Sequence, residues 1–285
     1  MVSQKDYESD FENTWCPGCG NFSILAAMKN ALCALDLEPH DIVIFSGIGQ
    51  AAKTPHFLKC NMFHGLHGRA LPAATGAKAA NHNLTILVNS GDGDCYGEGC
   101  SHFINAIRRN IDVTLLVHNN KVYGLTKGQA SPTSDTHMVT RAQPHGVMLE
   151  PFNPLAVAIA LQAGFVARGF AGNTDHLSML IREGIRHRGF SLIDILQPCV
   201  SFNHINTYQW YSNRVYDLNS RGHDTSDAAC AMEKAFLWGD RIPTGIFYKK
   251  DTSSFTDKIA VLAAGALVDQ TYDPQKLRDL IETFT

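Results

Sequence analysis

Cys16 and Cys19 in "TWCPGCGN", and Asp92 and Asn120 at the ends of "SGDG" and "LLVHNN", are the residues of this chain best suited by type to do chemistry. A Cys-x-x-Cys pair can serve a thiol–disulfide switch, half of a zinc site, or part of an iron–sulfur site. The switch needs a buried strand leading into the pair. The segment before Trp15 instead carries Lys5, Asp6, Glu8, Asp10 and Glu12. Zinc needs further soft ligands at matched spacing, and the chain has no second Cys-x-x-Cys. What remains is a pair of thiolates in a site completed by distant cysteines.

The other group is of a different kind. Gly91-Asp92-Gly93 ends one apolar run and Asn119-Asn120 ends the next, with the helical stretch "SHFINAIRRN" between them. In a parallel sheet this order places both strand ends side by side, so a carboxylate and a carboxamide converge. Hard oxygen ligands of that kind suit Mg2+, which usually shares its shell with ligand phosphates. The glycines let the backbone approach a diphosphate closely. Gly, Asp and Asn are also ordinary turn residues; the signal lies in both halves falling at the right elements together.

The elements that must position these groups follow from periodicity. "NFSILAAMKNALCALDL" reads as an amphipathic helix, and "DIVIFSGIG" as a buried strand entering a glycine turn. "LPAATGAKAANHN" is a small-residue helix, followed by strand "LTILVNS", the helix already noted, and strand "DVTLLVHNN". Helix "NPLAVAIALQAG", strand "FVARGF", helix "NTDHLSMLIREGIRHRG" and strand "FSLIDILQP" continue the alternation. This rhythm predicts an α/β fold: a mostly parallel sheet with helices on both faces, ligands at the carboxyl ends of its strands, and an irregular C-terminal tail. Residues 1–203 form the expected domain, and 204–285 an extension packing on it or on a partner.

Composition bounds the function. The chain has 285 residues, 45% hydrophobic, with a net charge of −3, which argues for no nucleic-acid partner and no membrane-surface patch. Its apolar runs are too short to span a bilayer. The start lacks a signal-peptide pattern, so a cytoplasmic location is expected, with the eight cysteines free, buried or ligating.

The Gly-Asp-Gly to Asn-Asn arrangement resembles the cofactor motif of thiamine-diphosphate enzymes. More widely, "WCPGCGN", "SGIG", "HGRALPAATGAKAAN", "GDGD", "VYGLTKGQASPTS" and "QPCVSFN", in this order, resemble the β subunit of 2-oxoacid:ferredoxin oxidoreductases. The resemblance runs from Trp15 to about Asn203 and continues more loosely through "IPTGIFY". It implies the thiamine-diphosphate-binding fold, with Mg2+ held by Asp92, Asn120 and the main-chain carbonyl of Val122. It places Gly49, Gly91, Gly93, Asp94, Gly124 and Leu125 along the cofactor, and His67, Gly68 and Arg69 at a loop meeting cofactor or substrate. Lys53, Lys127 and His67 become the candidate catalytic residues, the lysines binding the substrate carboxylate. A [4Fe-4S] cluster is implied beside the cofactor, with Cys16, Cys19 and Cys199 matching the ligand pattern.

The chain departs from that pattern once. Its turn reads "GIGQAAK", with Gln50 where the third cysteine is expected. Cys60 is the expected replacement; a three-cysteine cluster with one open iron, or a lost cluster, are the other outcomes. The implied reaction is coenzyme A-dependent oxidative decarboxylation of a 2-oxoacid, 2-oxoglutarate favoured over pyruvate or aryl oxoacids, with electrons passing to ferredoxin. No second thiamine-type domain is visible, so a separate α subunit, or a fused γ–α chain, is the expected partner. A cluster-free thiamine decarboxylase or synthase would leave the cysteines unexplained. A plain electron-transfer module would leave the Gly-Asp-Gly and Asn-Asn pair unexplained.

Overall fold

The computed structural model describes residues 1–271 and 273–284; Tyr272 and Thr285, both within the expected extension, lie outside the described residues. The apolar runs become β1 (Ile42–Ser46), β2 (Asn61–His64), β3 (Thr85–Gly91) and β4 (Thr114–Asn119). A small hairpin, β5 (Val122–Tyr123) with β6 (Gln129–Ala130), follows directly. Then come β7 (Phe165–Phe170), β8 (Ser191–Leu196), β9 (Val215–Asp217) and β10 (Ile242–Lys249). Apart from the hairpin, all join one sheet in the order β2-β1-β3-β4-β8-β7-β10-β9. β10 runs antiparallel to β7 and β9 runs with β10; every other pairing is parallel.

Side chains alternate across the sheet as a twofold repeat requires. Leu87, Leu116 and Ile193 face α1 (Gly20–Ala34) and, across the same layer, Leu177 and Leu180 of the helix at Thr174–Arg186. Their neighbours Val88, Leu115 and Leu192 face the opposite side, where α2 (Ala70–Ala80), α3 (Cys100–Arg109) and α4 (Pro154–Ala160) pack. Both faces are therefore covered, which explains why the central strands read as continuous apolar runs. The Thr174–Arg186 helix is α5.

The sheet runs across the expected boundary at residue 203. "IPTGIFYK" of the extension is β10, and it covers what would otherwise be the open edge of β7. Its Pro243 and its Gly245, at φ +115°, disguise it as irregular sequence. Among the described residues no helix is long and apolar enough to cross a membrane.

His118, fully buried in β4, donates from Nδ1 to Asn21 Oδ1 at 2.7 Å. Burial pushes its pKa down to about 3, against about 6.5 for a free imidazole. The unfolded chain therefore binds this proton first as pH falls. Stability present above about pH 6.5 is lost toward pH 3, at about 1.4 kcal/mol per pH unit from this one group. Urea melts from about pH 7 to 4 should show that slope, and His118→Gln should flatten it by one proton.

Candidate functional site

β3 ends at Gly91 and turns through Asp92 into a π-helical segment, Gly93–Glu98, which carries Asp94, both carboxylates lying at the carboxyl edge of the sheet. Both carboxylates are buried, yet they are used differently. Asp92 accepts the hydroxyls of Ser131 at 2.5 Å and Thr133 at 2.6 Å, both on Oδ2. Burial, opposed by those hydroxyls, still pushes its pKa up to about 6. A buried carboxylate held above its ordinary range has a deficit of positive charge around it, which a cation would supply.

Asp94 is held by a different set of partners. Oδ1 accepts the backbone amides of Ile48 (3.1 Å) and Gly68 (2.7 Å) and lies 2.7 Å from His67 Nδ1. Oδ2 accepts the Ser90 hydroxyl. A Cβ on Gly47 would sit 2.1 Å from it. Asp94 was expected along the cofactor. Although it borders the cleft, its oxygens are taken by protein, and it serves as a clamp joining three loops.

The cleft they enclose holds about 480 Å³ of open space, mouth included. One wall is Ile48 to Ala51, following β1; the opposite wall is Asn120 and Val122 to Thr126, following β4. Gly91, Asp92 and Gly93 form the floor, and His67 the rim. A Cβ on Gly49 (φ +124°) or on Gly91 would meet nothing, so the backbone there is bare toward the space. Gly93 is required for another reason: a Cβ would lie 2.2 Å from the Tyr123 ring. The expected Gly49, His67, Gly91, Asp92, Gly93, Asn120, Val122, Gly124 and Leu125 all line this cleft.

Of the two asparagines, Asn119 is spent on protein, with Nδ2 3.2 Å from Asp194 Oδ1. Asn120 is half-buried and in the cleft wall, its Oδ1 accepting the Val122 amide at 3.0 Å. An oxygen-rich set of Asp92, Asn120 and Val122 below bare glycine backbone fits a diphosphate with a hard cation.

Four expectations sit off this cleft. Gly68, at φ +69°, packs on the backbone of Glu98 and Gly99, and Arg69 reaches the Glu98 carbonyl at 3.1 Å, so both tie the loop down. Lys53 is half-buried in the short 3-10 turn Ala51–Phe57, and Lys127 is exposed with a left-handed backbone, φ +80°. Each lies just beyond a lining residue, Ala51 or Thr126.

The cysteines converge at the same sheet edge. Cys19 caps the start of α1, its amide bonded to the Cys16 carbonyl at 2.9 Å. The Gly20 amide reaches the Pro198 carbonyl, which brings Cys199 alongside. Ser201 donates to Cys16 Sγ at 3.1 Å and Gln197 to Cys19 Sγ at 3.4 Å. Burial first, then the neighbouring Cys199 and Cys16, push the Cys19 thiol above its ordinary range. All eight cysteines are free. Among the described residues no group of three or more His, Cys, Asp or Glu is gathered tightly enough for one metal ion.

Cys60 does not join them. The chain doubles back after the 3-10 turn and re-enters the sheet parallel to β1, with Asn61 opposite Val43. That puts Cys60 at the amino end of the strand, while the trio lies beyond the carboxyl end. Burial pushes its thiol up to about 12, and it packs with the apolar layer around Tyr7 and α1. The place expected for the third ligand is held by Gln50, whose carbonyl accepts the Trp15 indole N–H at 2.9 Å.

The cleft and the cysteine turn are stitched together. The Gln197 amide bonds to the Asn119 carbonyl at 3.0 Å, and Asn203 Nδ2 to the Asn120 carbonyl at 3.2 Å. Cys199 lies between those two anchors. Sequence reasoning missed Ser131, Thr133, Tyr123 and Asp194. The hydroxyls stand in the quoted "ASPTS", but no spacing rule marks them as partners of Asp92.

The model of the thiamine pyrophosphate enzyme C-terminal TPP-binding domain matches residues 45–195. The model of the C-terminal part of the pyruvate ferredoxin oxidoreductase β subunit matches residues 199–264. The chain is 46% identical to the β subunit of 2-oxoacid:ferredoxin oxidoreductase 1 of Aeropyrum pernix, over 85% of this chain and 79% of the relative. It is 45% identical to the 2-oxoglutarate oxidoreductase subunit KorB of Mycobacterium tuberculosis, over 70% of this chain and 53% of that one. The 2-oxoglutarate:ferredoxin oxidoreductase from Magnetococcus marinus, solved with 2-oxoglutarate, coenzyme A and succinyl-CoA bound, superposes with TM-score 0.91 at 36% identity, covering 98% of this chain and 96% of that one. With a glycine-lined cleft and a cysteine trio on one sheet edge, and these likenesses along nearly its whole length, the chain belongs to the β subunits of the thiamine-diphosphate-dependent 2-oxoacid:ferredoxin oxidoreductases.

Proposed function

We propose that this subunit oxidatively decarboxylates 2-oxoglutarate with coenzyme A, giving succinyl-CoA and CO2 and passing the electrons through an iron–sulfur cluster to ferredoxin, with the reverse carboxylation open when reduced ferredoxin is supplied. The observation that carries it is the pair of hydrogen bonds from Gln197 and Asn203 to the Asn119 and Asn120 carbonyls. They fix the cysteine turn against the metal loop, the adjacency that stepwise electron removal from a cofactor requires. The choice of 2-oxoglutarate is supported by the substrate named for the Magnetococcus marinus structure and for the Mycobacterium tuberculosis relative.

Bound here, thiamine diphosphate would supply the carbanion that lets CO2 leave, and a cluster would accept electrons singly. The chain's own part is positioning. Asp92, Asn120 and the Val122 carbonyl would hold Mg2+, and Gly91 and Gly93 would let the diphosphate lie on bare backbone. His67 is oriented at the rim by Asp94 at 2.7 Å, with Nε2 3.6 Å from Glu98. Lys53 and Lys127, at opposite lips, would neutralise the substrate carboxylates.

The cleft is open on one side, and a separate α subunit would close it. Met62, Phe63 and Leu66, exposed on and after edge strand β2, suit such a partner. Free cysteines suit the reducing cytoplasm. Anaerobic purification with the partner, followed by assay of bound thiamine diphosphate and of viologen reduction over a panel of oxoacids with coenzyme A, tests the reading. Failure to retain the cofactor with Mg2+, or reduction indifferent to the oxoacid, rejects it. Lys53→Ala should raise KM for the oxoacid about tenfold or more, the worth of one charged hydrogen bond, and leave KM for coenzyme A in place; equal changes in both would remove Lys53 from the carboxylate.

A further inference from the structure

Four thiolates are the usual complement of a [4Fe-4S] cluster, and this sheet edge offers three. None of the other five cysteines can move in. Cys60 stands at the wrong end of β2, and Cys33 lies near the far end of α1, roughly 20 Å along the helix from Cys19 at about 1.5 Å per residue. Cys95 is buried within the π-turn and packs into the core, Cys100 begins α3, and Cys230 lies 3.8 Å from His223.

Gln50 stands at the chain position where the resemblance expects the missing cysteine. Its backbone is fastened to Trp15, the neighbour of Cys16. Its side chain lines the cofactor cleft, with Cγ 3.9 Å from where a side chain on Gly124 would begin. Its backbone thus meets the turn that carries Cys16 through Trp15, and its side chain meets the cofactor space.

We propose that Cys16, Cys19 and Cys199 hold a cluster in which one iron has no thiolate, and that Gln50 stands against that iron. This rests on the reading that the trio binds an iron–sulfur cluster. A neutral carboxamide is a far weaker ligand for iron than a thiolate, so this iron is exchangeable while the other three are fixed. The site also carries one negative charge fewer than a four-cysteine site, which makes its cluster easier to reduce.

The chemistry that exposes the difference is mild oxidation. Ferricyanide takes one electron from a [4Fe-4S]2+ cluster and becomes ferrocyanide; one Fe2+ leaves, and [3Fe-4S]+ remains. In the complex with its partner subunit, iron counted before and after ferricyanide should fall by one in four. The EPR signal of a three-iron cluster should appear, and Fe2+ with a thiol reductant should reverse both changes. Gln50→Cys should keep all four irons and show no such signal, whereas Gln50→Ser should behave as the parent does.

A parent protein that keeps all four irons through oxidation overturns the proposal, as does a well-folded Gln50→Cys protein that loses iron as readily. Thiamine diphosphate bound in the same samples separates the two readings. Cofactor present without any iron sinks the cluster and this inference but leaves the thiamine site standing. Labile iron without cofactor supports this inference and sinks the thiamine half.

Discussion

Asp92→Asn should weaken Mg2+-dependent binding of thiamine diphosphate by at least about 100-fold and bring oxoacid-dependent viologen reduction to background, while the protein without cofactor melts at the same or a higher temperature. The two halves have one cause. The carboxylate is buried between Ser131 and Thr133 and repelled by Asp194, so its pKa rises to about 6. A carboxyl whose folded pKa is raised in this way costs stability that builds from about pH 4 and is present in full above about pH 6. Asparagine keeps an oxygen for the hydroxyls and removes the charge, which relieves the fold and deprives a cation of its anchor. Gain of stability with loss of function marks a residue kept for its chemistry. Titration calorimetry with the cofactor, and thermal melts at about pH 8 without it, measure the two sides. A destabilised variant that still binds tightly would remove Asp92 from the metal.

Asp94→Ala, two residues on, should do the opposite to the fold. It strips the acceptor from the Ile48 and Gly68 amides, from His67 and from Ser90 at once. Leaving such donors buried costs on the order of 3–5 kcal/mol, the range for breaking a buried charged network. The loops at residues 47–49 and 67–68 then lose their common tie, so cofactor affinity falls as a consequence of lost order. Denaturant melts should show the stability loss without any ligand present, and hydrogen exchange at the Ile48 and Gly68 amides should rise with it. An unchanged melt would mean that the loops are held by something other than this carboxylate.

"GDGD" gives no hint that its two aspartates differ so sharply. Both read as candidates because the string marks where a strand ends and a diphosphate could lie. Only the π-helical turn, which swings Asp94 back under Gly47, turns the oxygens of Asp94 to protein partners while Asp92 stays at the cleft floor. The strand-and-helix alternation was legible because each central strand is apolar on both faces. The convergence of Asp92 with Asn120 followed from parallel order alone. Cys60 misled because the short stretch between it and Gln50 hides a reversal of the chain, which returns it to the opposite end of the sheet. β10 was hidden by its proline and glycine, and by pairing that runs against the other strands.

Trp15 is fully packed, edge-on to Phe22 and Phe57 with ring centroids 5.6 and 4.8 Å away, and its indole is pinned to the Gln50 carbonyl. A rigid indole shielded from water emits strongly at short wavelength, and an iron–sulfur chromophore on the adjacent cysteine would quench it by energy transfer. The chain thus carries its own optical gauge: filling of the sulfur site could be followed in a cuvette as one fluorophore dims, and Trp15→Phe would identify which one.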